Sequence, residues 1–190
     1  RFADDLGYEV DNEFMSLIAN WDINGSGYTL TSVSGWYEES LSDYKAQIPD
    51  ELDVFASWDD ESFSQELRLT SPQDRRFRWM VGAYYLDLEY FQGGPAGFPS
   101  PGAELPLSGE CDATLPRVIL DYRLSENTMV YGSYSEGNNP GGFNTEVIQL
   151  EPTVALPAFQ ADNPGIGYNI AQAELESIEV GFKHSLANGR

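Results

Sequence analysis

Apolar and polar residues alternate with a period of two through almost the whole chain, and no other feature restricts the possible folds so tightly. In residues 14–23, Met15, Leu17, Ala19, Trp21 and Ile23 share one face of an extended strand, while Ser16, Asn20 and Asp22 share the other. In 174–186, Ile178, Val180 and Phe182 alternate with Ser177, Glu179, Gly181 and Lys183. The same pattern, rich in Tyr, Phe, Val, Ile, Thr and Trp, marks strands at 28–44, 61–71, 77–91, 117–124 and 128–136. Helical periodicity is scarce. The chain is therefore expected to be all-β, an antiparallel meander of about seven or eight strands.

The connections sharpen this expectation. NGSG (24–27), SPQDR (71–75), SEN (125–127) and ANGR (187–190) read as tight turns built from Gly, Asn, Asp and Ser. The stretches around 45–60, 93–116 and 137–173 are far longer than ordinary connections in a compact β-domain. Short and long connections alternate, which puts short turns on one side of the sheet and long loops on the other. Transmembrane barrels have that layout routinely.

Composition removes several function classes. With 10 Lys+Arg against 31 Asp+Glu the formal charge is -21, which repels phosphate backbones, so nucleic acid is excluded as a partner. A single cysteine, Cys111, forms no internal disulfide. No apolar run reaches the ~18 residues of a membrane helix, and RFADDLGYEV lacks the layout of a signal peptide; neither point bears on a β-barrel. The arbitrary-looking ends suggest a fragment of a longer chain.

Motifs that carry chemistry are weak. Asp22, Asn24, Ser26 and Gly27 match the start of a calcium loop, but Val33 stands where a bidentate Glu must complete the oxygen shell, so a hairpin turn is the better reading. Glu38-Glu39 and Asp59-Asp60-Glu61 are adjacent on strands and point to opposite faces, which spoils a glycosidase pair. His184 is the lone histidine, and Cys111 sits in a Pro/Gly-rich stretch without a partner. No metal, no cofactor and no enzymatic activity are expected. GNNPGGFN (137–144) has neither a dinucleotide fingerprint nor a phosphate-loop lysine. Its backbone freedom, amides and one aromatic suit a small-molecule surface site. Asn138, Asn139, Phe143 and Asn144 are the candidate ligand contacts.

ESFSQELRLTSPQDRRFRWMVGAYYL (61–86) resembles a stretch common in TonB-dependent outer-membrane receptors, where a Gln-Glu-Leu-Arg strand turns through Ser-Pro into a Trp-x-x-Gly-x-Tyr-Tyr strand. PRVILDYRLSENTMVYGSYSEGNNPGGFN (116–144) resembles a second segment of that family, ending in its Gly-Gly-Phe-Asn loop, and ELESIEVGFKHSLANGR (174–190) resembles the strand that follows. The three cover about 70 of the 190 residues, in matching order.

The resemblance implies that residues 1–190 are a partial barrel domain, without a plug, of a receptor in the ~22-stranded class. It implies uptake of a nutrient such as a ferric siderophore across the outer membrane of a Gram-negative cell. The implied partners are outer-membrane lipid, an iron chelate and the TonB system, the last reached through an N-terminal part missing here. On that reading Met15, Leu17, Trp21, Ile178, Val180 and Phe182 face lipid, and Tyr131 and Tyr134 belong to the aromatic girdle. Seven or eight strands cannot close a wide barrel, so a curved open sheet or a small distorted barrel is expected. The principal rival is a soluble, secreted β-sandwich that binds carbohydrate on exposed Trp and Tyr; a glycosidase is a distant third.

Overall fold

The computed structural model describes residues 7–48, 52–93, 107–144 and 155–186, with the side chains of 43–48, 52–56, 155 and 156 left aside. Seven strands form one antiparallel sheet in the order β1 (Gly7–Asp22), β2 (Thr29–Ile48), β3 (Leu52–Thr70), β4 (Phe77–Gly93), β5 (Leu107–Ser125), β6 (Thr128–Asn139) and β9 (Ala173–His184). Between β6 and β9 lie β7 (Gly142–Phe143), an eight-residue helix α1 (Ala155–Asp162) and β8 (Asn169–Ile170). β7 and β8 pair with each other in a separate two-stranded sheet. No helix among the described residues is long and apolar enough to cross a membrane.

Turn chemistry sets the hairpins. Asn24 and Gly25 both take positive φ, 52° and 65°, the pair of left-handed residues that a tight turn between twisted strands requires. The Asp22 carboxylate accepts the Gly25 N–H at 3.1 Å, so the segment resembling a calcium loop is the β1–β2 turn. Ser71 is 3% exposed and locks the next short turn: its Oγ accepts the Trp79 N–H at 2.8 Å, and its own N–H donates to the Trp79 carbonyl.

Strands run much farther than the sequence pattern suggests. β2 and β3 have 20 and 19 residues and are separated by only 49–51, so most of the stretch read as a long loop at 45–60 is ladder. β5 begins at Leu107 rather than near 117, which places Cys111 inside a strand. The supposed alternation of short and long connections therefore fails between β2 and β3. Asp59, Asp60 and Glu61 have weak intrinsic preference for strands, but continuous pairing on both sides outweighs it.

Of the curved open sheet and the small distorted barrel expected, the sheet is the open one, and the reading as part of a transmembrane barrel does not hold. The strand order is linear, β1 and β9 lie at opposite edges, and no described strand pairs with either outer edge. Among the described residues the sheet is open and not closed into a barrel. An open sheet leaves two rows of N–H and C=O groups unpaired, which hydrocarbon cannot satisfy, and it encloses no lumen for cargo. The transmembrane barrel, the uptake of an iron chelate through it and the implied contacts with outer-membrane lipid and the TonB system are all corrected by this one observation.

Burial is equally unlike that of a closed domain. Cys111 and Ala113, 2% and 8% exposed, are the buried apolar residues among those described. Cross-strand register puts Trp21, Leu30, Leu69, Val81, Val118, Tyr134 and Ile178 in one row on one face. Farther toward the other end, the same face carries Glu13, Glu38, Glu61, Glu89 and Glu110 directly opposite one another across five strands.

Candidate functional site

The β5–β6 ladder is where the sheet makes room for a site. Pairing runs from Ser125↔Thr128 to Arg117↔Ser135 and stops there. β5 nevertheless stays paired to β4 as far as Leu107, and β6 stays paired to β9 as far as Asn139. The next residue along β5 is Pro116, which has no N–H to offer a ladder. Above it the two strand pairs part, and side chains rather than backbone span the gap.

Those side chains include the candidates from the glycine-rich stretch. The Asn138 amide donates through Nδ2 to Cys111 Sγ at 3.1 Å, and its Oδ1 is buried without a hydrogen-bond partner. Gln172 Nε2 donates to the Asp112 carbonyl at 3.4 Å. The Phe143 ring lies 5.2 Å from that of Tyr90 at 58°, a favourable tilted contact that ties β7 to β4. Tyr90 itself lies across Gly109 of β5, where any Cβ would collide with its ring.

The excursion is shaped by its glycines and asparagines. Asn139 Oδ1 accepts the Gly141 N–H at 3.1 Å, closing a turn. Gly141 has φ +85°, and a Cβ there would strike the Ile170 carbonyl, so the chain folds back only with glycine. Asn144 N–H donates to the Tyr168 carbonyl at 2.7 Å. Of the four candidate contacts, then, Asn138 and Phe143 reach across the gap to β5 and β4, Asn139 shapes the turn, and Asn144 holds the small β7–β8 sheet.

The remaining sequence candidates divide by face. Met15, Leu17, Trp21, Ile178, Val180 and Phe182 share one face and are all 63–82% exposed. Tyr134 is on that same face, whereas Tyr131, three residues away, is on the opposite one, so the two tyrosines do not form one girdle. The Tyr131 hydroxyl donates to Glu179 at 2.6 Å, and its ring covers Gly181 with the Lys183 ammonium 5.2 Å from its centroid. Tyr134 donates to Glu136 and, at 3.2 Å, to Glu176. The hydrogen bond to Glu136 raises its phenol pKa, with burial and Glu176 adding to the effect.

Two hollows border this region. The larger, about 550 Å³, is lined by Glu38, Glu39, Asp59, Asp60, Glu61 and Glu89 among others. No group of His, Cys, Asp and Glu among the described residues converges to hold a metal ion there or elsewhere. The smaller, about 310 Å³, is the gap between β5 and β6. Sequence reasoning missed Tyr90, Cys111 and Gln172. Their only signal was Tyr90 in an aromatic run, because the meeting of residues 27 to 60 positions apart is set by topology.

No family model and no curated protein matches the chain. Two solved structures are similar to it. One is the ferric yersiniabactin uptake receptor FyuA from Yersinia pestis, with a TM-score of 0.58 and 16% identity over 95% of this chain and 26% of that one. The other is BauA, the ferric preacinetobactin receptor from Acinetobacter baumannii, with a TM-score of 0.51 and 16% identity over 94% of this chain and 27% of that one. The chain thus spans about a quarter of the length of the receptors it matches. At this identity the likeness is one of fold alone. Both are named as receptors.

Proposed function

We propose that the protein is a non-catalytic carbohydrate-binding module acting at the outer membrane of a Gram-negative cell, with its ligand held where β5 and β6 part. The observation that carries this reading is that the glycine-rich excursion is tied back to the sheet by an aromatic and an amide, Phe143 against Tyr90 and Asn138 on Cys111. A sugar offers C–H faces to aromatic rings and hydroxyls to amides and carboxylates, and this end of the sheet supplies all three. The fold likeness to two receptors supports a binding role.

Asn138, Asn139, Phe143 and Asn144 are the proposed ligand-binding group, with Phe143 as stacking surface, Asn138 as hydrogen-bonding contact, and Asn139 and Asn144 as residues that fix the loop. The test is glycan-array screening of the full chain, followed by calorimetry on the best hit. Phe143→Ala is expected to weaken that hit at least tenfold while leaving the strand signature in circular dichroism intact. Unchanged affinity in Phe143→Ala, or no glycan bound, would sink the proposal.

A further inference from the structure

The main sheet is one layer, and one layer alone makes no core. Cys111 and Ala113 are the buried apolar residues among those described, whereas one face of the sheet carries large apolar side chains in the open. On β1 they run from Met15 to Trp21, on β5 and β6 they include Leu120 and Val130, and on β9 they are Ile178, Val180 and Phe182. Folded domains cover such a face with a second layer. The described residues supply none.

Area and charge indicate what fits. With strands about 4.8 Å apart and same-face residues about 6.7 Å apart, a band seven strands wide and roughly four side chains deep covers on the order of 800 Å². That is about what one partner contributes to a standard protein interface. The strand cations Arg68, Arg78, Arg117, Arg123 and Lys183 all lie on the opposite face, so the band offers nothing to an anionic partner. Toward the long-loop end it gives way to the row of five glutamates from Glu13 to Glu110. An occupant must therefore be apolar and stay clear of the acidic end. A second copy turned end for end meets both conditions: apolar half lies on apolar half, and the two acidic ends project beyond the overlap in opposite directions.

We infer that the protein is a two-fold dimer in which these apolar faces pack together as the two layers of a β-sandwich, with the short-turn ends pointing in opposite directions. On β5 and β6 the band lies on the ladder side of Pro116, so the gap where those strands part stays outside the interface. The inference does not depend on the carbohydrate reading.

The experiment is sedimentation equilibrium of the full chain without detergent, over a concentration series and at low and high salt. A single monomer–dimer equilibrium is expected, tightened by salt because screening weakens the repulsion between two chains of charge -21. Leu120→Gln, on the apolar face of an interior strand, should weaken the dimer at least tenfold, whereas Ile18→Gln, exposed on the opposite face of β1, should leave it unchanged. Neither substitution alters the net charge. Should Leu120→Gln lose strand content, Leu67→Gln on the same face of β3 carries the test. A nitroxide on Asp74→Cys, in the central β3–β4 turn, reads the orientation, because Cys111 is buried and stays unlabelled. Copies turned end for end hold the two labels about the depth of the band apart, roughly 25–30 Å, and copies aligned the same way hold them roughly 10 Å apart, the spacing of packed sheets.

A chain that stays monomeric at every concentration would overturn the proposal, as would a dimer that Leu120→Gln and Ile18→Gln weaken alike. Open-ended oligomers insensitive to Leu120→Gln would overturn it in favour of pairing between strand edges. Labels roughly 10 Å apart would overturn the end-for-end arrangement.

Discussion

At the scale of single residues, the sheet shows how much unfavourable charge a long ladder tolerates. Asp60 sits opposite Glu39 on the neighbouring strand, next in sequence to Asp59. Burial first, then Glu39 and Asp59, raise its carboxyl pKa above the ordinary 3.8. The folded chain thus holds this proton more tightly than the unfolded chain does. Ionised Asp60 therefore subtracts stability above its folded pKa, and the cost fades as pH falls through that value toward 3.8. Asp60→Asn is expected to raise the melting temperature at pH 7, with the advantage shrinking as pH approaches 4. Thermal melts across that range decide it; a gain independent of pH would show that ionisation is not the cause. The contrasting case is Arg78 and Asp121, cross-strand neighbours at 2.6 Å whose opposite charges satisfy each other in a half-buried setting.

Strands are the next scale, and here the row Glu13, Glu38, Glu61, Glu89 and Glu110 is the feature to explain. Like charges directly opposite one another destabilise a strand pair by a few tenths to about 1 kcal/mol. Five in register mean that the backbone ladder carries the cost. Glu61, flanked by Glu38 and Glu89, is the central position, and Glu61→Gln should stabilise the sheet by about 0.5 kcal/mol in urea unfolding. Added salt should narrow the difference by screening the repulsion. A destabilised Glu61→Gln would show that these carboxylates have partners worth more than their mutual repulsion.

For the molecule as a whole, the open edges and the uncovered apolar face dominate behaviour. Ile178, Val180 and Phe182 on the edge strand β9 are 74–82% exposed, on a strand whose outer backbone groups have no partner among the described residues. Such an edge invites pairing with another chain, and a lysine there blunts it. Val180→Lys is expected to reduce self-association of the purified chain in light scattering without lowering strand content. Undiminished association would move its origin to β1 or to the interior of the face.

Much of this architecture is legible in the residues themselves. Alternation in β1 and β9 names their apolar faces, and Asn24-Gly25 and Ser71-Pro72 mark turns, because side-chain direction and turn preference are local properties of the chain. Strand length was legible only in part: β4 and β9 end within two residues of the expected 77–91 and 174–186, whereas Asp59 and Asp60 join a strand because neighbours on both sides offer ladder bonds. The opposite faces of Tyr131 and Tyr134, three residues apart on one strand, follow from the alternation alone. Local reading pointed to the glycine-rich stretch 137–144 and to too few strands for a wide barrel, but not to the partners that stretch meets or to how the sheet is paired. An open edge is a relation between β1 and β9, residues at opposite ends of the chain, and the gap that brings Asn138 to Cys111 exists only because two ladders diverge above Arg117. Local chemistry thus determined an antiparallel β-chain with defined turns, while the pairing of distant strands decided that the sheet is open and where it parts.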